Sequence, residues 1–190
     1  MADKALSSLD MRQHFVGSAV YQLPFGQGRQ FGTNWNRITN GFLGGWAFAP
    51  IFTVSTGMPL NITVNGNPSN TGSGADRPNV VANWQLANPS VAEWFNAAAF
   101  VANAPYTYGD AGRNIIRGPG LVDLDLALHK SFRITERVSA QLRIESFNAT
   151  NTPALGPPNT VLGNPLFGQI TATAVGTSSR DNQVGLKVVF

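Results

Sequence analysis

The last ten residues of the sequence, 181–190, alternate strictly between two kinds of side chain. One set of positions is apolar: Val184, Leu186, Val188 and Phe190. The intervening set is polar or small: Asp181, Gln183, Gly185 and Lys187. A period of two places successive side chains on opposite faces of a strand. The pattern therefore predicts a β-strand with one polar face and one apolar face. We expect the apolar face either to be recognised by a partner or to be buried.

Composition excludes several classes of protein. Charged residues make up only 12% of the 190 residues and apolar residues 43%, which is the reverse of a disordered chain. The net charge of +3 is small and its basic residues are scattered, so we expect no nucleic-acid partner. The absence of cysteine excludes disulfides, thiolate metal sites and a cysteine nucleophile.

No stretch of the sequence approaches 18 consecutive apolar residues, so we expect no transmembrane helix. Residues 1–10 lack the apolar core of a signal peptide. If the strands belong to a membrane barrel, we expect the chain to be a fragment of a protein whose export signal lies elsewhere.

Four further segments have strand-like composition or alternation, near 11–23, 44–56, 121–132 and 137–147. The clearest is 121–132, where Val122, Leu124, Leu126 and Leu128 alternate with polar or small residues. Pro50 lies inside the second of these segments and cannot donate a ladder hydrogen bond, so it implies a sheet edge, a bulge or a wrong assignment.

Long connections rich in Gly, Pro, Asn and Thr separate these strands, at 57–120 and 151–179. Within the first, Ser90 precedes Glu93 by three residues, which is the spacing of a capping box. We therefore predict one short loop helix over residues 90–100. The chain as a whole (1–190, a single β segment) is predicted to be all-β, an antiparallel up-and-down meander of about five strands with two long loops.

Residues 134–136 predict a tight turn between the third and fourth strands. For the apolar rows of these two strands to coincide, paired residue numbers must add to an even value. Depending on the register, Asp125 then faces Arg143 or Glu145.

Four residues of the last strand resemble the C-terminal assembly signal of bacterial outer-membrane β-barrels. That signal has a polar residue, a glycine two positions later, a hydrophobic residue three positions further and a terminal aromatic residue. Gln183, Gly185, Val188 and Phe190 match it. The resemblance implies that the barrel-assembly machinery reads these residues.

Longer blocks resemble the C-terminal part of TonB-dependent outer-membrane receptors of the Oar-like group, which carry a carboxypeptidase-regulatory-like domain. They cover most of the chain in the order of the family: residues 15–26, 44–46, 74–81, 93–100, 109–120, 125–151, 164–170 and 184–190. The resemblance implies the last strands of a barrel of about 22 strands, located in the bacterial outer membrane and serving nutrient uptake. The implied partners are outer-membrane lipid and the remaining barrel and plug of the parent receptor. No cofactor or metal is implied.

Five strands cannot close a barrel, and open edges in lipid leave backbone groups without hydrogen bonds. The chain is therefore part of a larger barrel, or it forms a homo-oligomer, or it folds as a soluble two-layer β domain. In the soluble case the alternative function is that of a small hydrolase, with carbohydrates as one class of substrate.

The candidate catalytic residues for that alternative are Asp123, Asp125, His129 and Glu145, which fall on the polar faces of neighbouring strands. Paired carboxylates on adjacent strands are the machinery of glycoside cleavage. The sequence has no GxSxG, P-loop or HExxH motif. Catalysis stays open, and we favour the interpretation of these residues as polar groups facing a barrel lumen.

Overall fold

A computed structural model describes residues 4–72 and 74–190 of the protein. Residues 1–3 of the N-terminal segment and residue 73 of the predicted loop 57–120 lie outside the described residues. The strands are, in chain order, β1 (His14–Ser18), β2 (Tyr21–Gln22), β3 (Trp46–Ser55), β4 (Pro59–Leu60), β5 (Thr63–Val64), β6 (Asn79–Val80), β7 (Phe100–Val101), β8 (Ile116–Arg117), β9 (Leu121–Arg133), β10 (Ser139–Phe147), β11 (Val161–Leu162) and β12 (Asp181–Val189). The helices are α1 (Arg37–Leu43) and a 3-10 turn at Ala97–Ala99.

The main sheet has the order β1-β3-β9-β10-β12, with β2 also paired to β3. Its neighbours follow one another as the successive long strands of the chain, which is an up-and-down meander. The pairs β2–β3, β9–β10 and β10–β12 are antiparallel. The predicted all-β meander of about five strands is confirmed, and the sheet is open, with β1 and β12 at its edges.

Pro50 lies within β3, opposite the interruption between β1 and β2. Its carbonyl accepts a hydrogen bond from the amide of Ala19 at 3.2 Å. A proline has no amide proton to return that bond, and the partner strand is broken at this level. Pro50 is therefore part of a strand, β3, and not of a sheet edge, since β3 lies between β1 and β9. The interruption of the neighbouring strand accommodates the missing amide proton.

The turn between β9 and β10 is longer than predicted. The strands pair as far as Arg133 with Ser139, so five residues, 134–138, close the hairpin. The amide of Ile134 donates to the carbonyl of Val138 at 3.0 Å. Paired residue numbers add to 272, as in Ile144 with Leu128, so the even sum is confirmed and the apolar rows coincide.

By its internal contacts the chain divides into two compact units. The sheet unit comprises Phe15–Val54, Val122–Pro153 and Ser178–Phe190. The loop unit comprises the residues up to His14 together with Ser55–Leu121 and Ala154–Thr177. The two predicted long loops thus form most of the loop unit, whereas the sequence treated 1–190 as a single segment.

The loop unit has a hydrophobic core that the sequence analysis did not predict. Buried Ile62, Phe95, Phe100 and Ile116 form its centre together with Ala99. The ring of Phe95 packs edge-on against Phe100 at 5.7 Å and against Phe167 at 5.1 Å. Three two-stranded sheets join segments of the loop unit by backbone hydrogen bonds: β4–β8, β5–β11 and β6–β7.

The helix predicted over residues 90–100 is wrong; only the 3-10 turn Ala97–Ala99 forms there. The hydroxyl of Ser90 does accept a hydrogen bond from the amide of Glu93 at 3.2 Å, but it fixes a turn. The next amides bond to distant parts of the chain, as Trp94 does with the carbonyl of Gly168 at 2.8 Å. Burial of Phe95 and these long-range bonds outweigh the local preference for helix.

Candidate functional site: the two faces and the edge of the sheet

Most even-numbered residues of β9, β10 and β12 are apolar and form one face of the main sheet; the exceptions are Lys130, Ser146 and Asn182. Leu128, Ile144 and Val184 lie in one row across the three strands. Val184 is 71% exposed and its neighbour Leu186 69% exposed. Extended apolar surface of this kind on one side of a sheet marks an interaction with another apolar phase or partner.

Strand β12 forms one edge of this sheet, since it pairs with β10 on one side only. The residues of the predicted assembly signal are divided between its two faces. Gln183 and Gly185 lie opposite Glu145 and Arg143, and Val188 lies opposite Ala140 on the apolar face. Phe190 follows the strand and is 97% exposed. The four residues are therefore presented together on an accessible edge.

The odd-numbered face of the sheet is polar, and it carries the four candidate catalytic residues. His129 Nε2 lies 3.8 Å from Glu145 Oε1, and the side chain of Gln183 donates to Glu145 Oε2. His129 Nε2 itself is buried without a hydrogen-bond partner. The structure thus brings His129 and Glu145 together, with Gln183 from the next strand.

Asp123 and Asp125 do not join this cluster. The expectation that Asp125 faces Arg143 or Glu145 is wrong, because the five-residue turn shifts the register. Glu145 pairs with Ala127 and Arg143 with His129. Asp125 Oδ1 instead accepts the amide proton of Asn148 at 2.9 Å, just beyond the end of β10.

The consequence for catalysis is that the four candidates do not converge on one point. Arg143 donates to Gln141 Oε1 at 3.0 Å on its own strand and does not neutralise Asp125. Within the described residues, no group of three His, Cys, Asp or Glu side chains could hold a metal ion. What the arrangement provides is a polar sheet face with local charge pairing.

Asp76 has a different role, in the loop unit. Its carboxylate accepts from the amide of Ser69 at 2.6 Å and from the hydroxyl of Ser69 at 2.7 Å. These two hydrogen bonds hold the pKa of Asp76 below its usual value, against the opposing effect of burial. The carboxylate holds Ser69 next to Asp76.

The loop unit contains a cleft of about 800 Å³ that the sequence did not predict. Its lining includes Trp84, Trp94 and Arg117. Arg117 is held by the carboxylate of Asp10 at 2.7 Å and donates to the carbonyl of Gly57 at 3.0 Å. These residues come from distant parts of the sequence, so no local motif could have revealed the cleft.

One comparison with known proteins gives a family. The family model described as the outer membrane beta barrel domain matches residues 1–183. This match and the open antiparallel sheet define the class, and the chain belongs to the outer membrane beta barrel domain family. No curated protein and no solved structure matches the chain.

Membership of this family indicates what each face of the main sheet contacts. In outer-membrane barrels the outward face is apolar and contacts lipid, and the inward face is polar. This arrangement predicts that the even-numbered face of β9, β10 and β12 contacts lipid and that the His129–Glu145 pair faces the lumen. The family match gives no support to the soluble alternative. Among the described residues, no helix is long and apolar enough to cross a membrane.

Proposed function

We propose that the chain is the C-terminal barrel segment of a TonB-dependent outer-membrane receptor of the Oar-like group and serves nutrient uptake as part of that parent protein. The observation that carries the proposal is the open sheet. Strands β3, β9, β10 and β12 have 10, 13, 9 and 9 residues, and a strand needs about 9–11 to cross a membrane. Within residues 4–72 and 74–190, no further strand pairs with either edge of the sheet.

Open edges have a physical cost in lipid. Each unpaired amide or carbonyl in the hydrocarbon region costs several kcal/mol, on the order of a lost hydrogen bond without water to replace it. The remaining strands of the parent barrel would satisfy these groups at β1 and β12. The partners in this proposal are therefore the rest of the barrel and plug, together with outer-membrane lipid.

The edge strand β12 also supports a role in assembly. Its signal residues Gln183, Gly185, Val188 and Phe190 are exposed on an edge whose backbone is free to pair. An extended segment that adds to another sheet edge is a recurrent mode of recognition. We infer that the barrel-assembly machinery binds the chain through this strand.

The receptor proposal is tested by the size of the native protein. An antibody raised against this chain is used on outer membranes of the source organism, with the purified chain of 20.3 kDa as a size marker. We expect the antibody to detect a protein several times larger. A band only at the size of the marker would refute the parent receptor, while leaving the family assignment intact.

A further inference from the structure

Helix α1 is attached to the sheet unit by its polar side. Asn36 begins the helix by accepting the amide proton of Thr39 at 2.8 Å. Asn40, in the middle of the helix, accepts the amide proton of Gln27 at 2.8 Å through its side chain. At 100° per residue, Ile38 and Phe42 lie on the side opposite Asn40.

The outward side of α1 is apolar. Ile38 is 73% exposed and Phe42 is 74% exposed, and they are neighbours at a spacing of four residues. A surface helix of a water-soluble domain normally has the opposite arrangement, with its apolar stripe toward the core. The orientation of α1 therefore presents an apolar surface to whatever surrounds the sheet unit.

The helix is fixed to the end of the lipid-facing side of the sheet. The indole Nε1 of Trp46 donates to the carbonyl of Phe42 at 2.9 Å. Gly44, at the C-terminal cap of α1, accepts a hydrogen bond from the ammonium group of Lys130. Lys130 lies 4.9 Å from the ring centroid of Trp46 and 5.0 Å from that of Phe132. Tryptophan is enriched at membrane–water interfaces, whereas Lys130 is buried and holds the C-terminal end of α1 in place.

Positive charge is concentrated at the same end of the sheet. Arg133 pairs with Ser139, which pairs with Val189, and the amide of Ser131 donates to the carbonyl of Gly45. The segments that meet there, 23–45, 130–138 and 185–190, carry six basic residues and one acidic residue: Arg29, Arg37, Lys130, Arg133, Arg137, Lys187 and Glu136. Of these, Lys130 is buried, and Arg133 and Lys187 lie on the polar face. The exposed residues Arg29, Arg37 and Arg137 are the ones that can meet an anionic lipid surface, where each basic side chain contributes about 1 kcal/mol.

We propose that α1 is a membrane-interface anchor. Ile38 and Phe42 insert at the boundary between the lipid headgroups and the acyl chains. The leaflet is the one at the end of the sheet where the 134–138 turn lies. The occupant of this surface is phospholipid with an anionic component. The hydrogen bond from Trp46 to the carbonyl of Phe42 holds α1 at the end of the lipid-facing side of the sheet, so the helix and the sheet meet the same membrane. The inference depends on the outer-membrane family and not on the receptor proposal.

The chain contains no cysteine, so single cysteines can carry a nitroxide label at chosen positions. The native outer-membrane protein that contains this chain is reconstituted in vesicles of phosphatidylethanolamine and phosphatidylglycerol, with the label at Phe42→Cys. Val184→Cys on the sheet face is the lipid reference, and Val175→Cys, which is fully exposed in the loop unit, is the water reference. Collision rates with oxygen and with a water-soluble nickel chelate are measured for each label.

We expect the Phe42 label to collide more with oxygen than with the nickel chelate, at a depth shallower than that of Val184. The additional substitution Ile38→Ser should shift the Phe42 label toward water, because half of the inserted surface is lost. Replacing phosphatidylglycerol with phosphatidylcholine should shift it in the same direction.

Three results would overturn the proposal, and they differ in their consequence for the lipid-facing assignment of the sheet. A Phe42 label as accessible to the nickel chelate as Val175, with Val184 in lipid, refutes the anchor alone. Exclusion of the Phe42 label from both reagents means protein contact, such as a second copy, and also refutes it. If the Val184 and Phe42 labels are both in water, the lipid-facing assignment of the sheet fails together with the anchor.

Discussion

Replacing Ile144 with arginine measures whether the even-numbered side of the sheet contacts lipid. Ile144 lies between Leu128 and Val184 in the paired strands and is 41% exposed. It is the sixth of the nine residues of β10, Ser139–Phe147, so it is close to the middle of the membrane. An arginine on the lipid-facing side of a barrel costs about 2–4 kcal/mol at that depth.

Two matched substitutions separate depth and face from general damage. Gln141→Arg places the same charge on the same strand but on the polar face, where Arg143 already lies. We expect it to cost about 1 kcal/mol or less, because it loses the hydrogen bond from Arg143 and lies opposite Lys187. Val122→Arg is on the apolar face at the beginning of β9, near the interface, where the cost is about 0–1 kcal/mol.

The assay is urea unfolding of the membrane-assembled protein, followed by tryptophan fluorescence. Ile144→Arg should reduce the folding equilibrium constant by about 30-fold to 1,000-fold, since 1.4 kcal/mol corresponds to a factor of ten. Equal losses for Ile144→Arg and Gln141→Arg, or a greater loss for Gln141→Arg, would show that the assignment of the two faces is incorrect.

Three further predictions concern the loop unit and the edge strand. Phe95→Ala should destabilise the loop unit by about 3–5 kcal/mol because it leaves a cavity beside two aromatic rings; proteolysis of the loop unit measures it, and Tyr108→Ala, at a 74% exposed position, is the control. Because the hydrogen bonds from Ser69 lower the pKa of Asp76 in the folded protein, its contribution to stability is present above the unfolded pKa of about 4 and is lost as pH falls through the lowered folded pKa. Hydrogen exchange of residues 69–76 should show this loss, and Asp76→Asn should remove it; an unchanged pH profile in that variant would contradict the assignment. Deletion of Phe190 should lower the amount of the parent receptor in the outer membrane, whereas Phe190→Tyr should preserve it, and unchanged levels after the deletion would refute the assembly role.

The sheet was predictable because its signal is local. Alternation in 121–132 and 181–190 depends only on the identities of successive side chains, and these segments became β9 and β12. The assignment of Val122 and Val184 to an apolar face, and of Glu145 and Gln183 to a polar one, follows from the same period of two.

The candidate site was predicted only in part. The contact between His129 and Glu145 depends on the register of β9 against β10, which the five-residue turn 134–138 sets. The sequence suggested a three-residue turn, and with that closure Asp125 would have met Glu145. One hairpin closure thus decided which of the candidate residues became neighbours.

Helix α1 could not be predicted for a similar reason. Its sequence, RITNGFL, contains Thr, Asn and Gly, which favour helices weakly. The helix exists because Asn36 caps it and Gln27, Trp46 and Lys130 bind it to the sheet unit. The contact of Lys130 with Gly44 joins residues 86 positions apart, and that of Gln27 with Asn40 joins residues 13 positions apart. Contacts of this kind cannot be read from a local pattern, and they hold the polar side of α1 against the sheet unit, so that Ile38 and Phe42 face outward.

The sequence by itself determined the long strands of the main sheet, their two faces and the outer-membrane barrel class, because side-chain alternation and family blocks are properties of the order of residues. The tertiary structure decided the register, the core of the loop unit and the orientation of α1. Those features depend on which distant segments come together when the turns close and when aromatic rings such as Phe95 pack into a shared core. No local pattern contains that information, since its energy comes from contacts that form only in the folded chain.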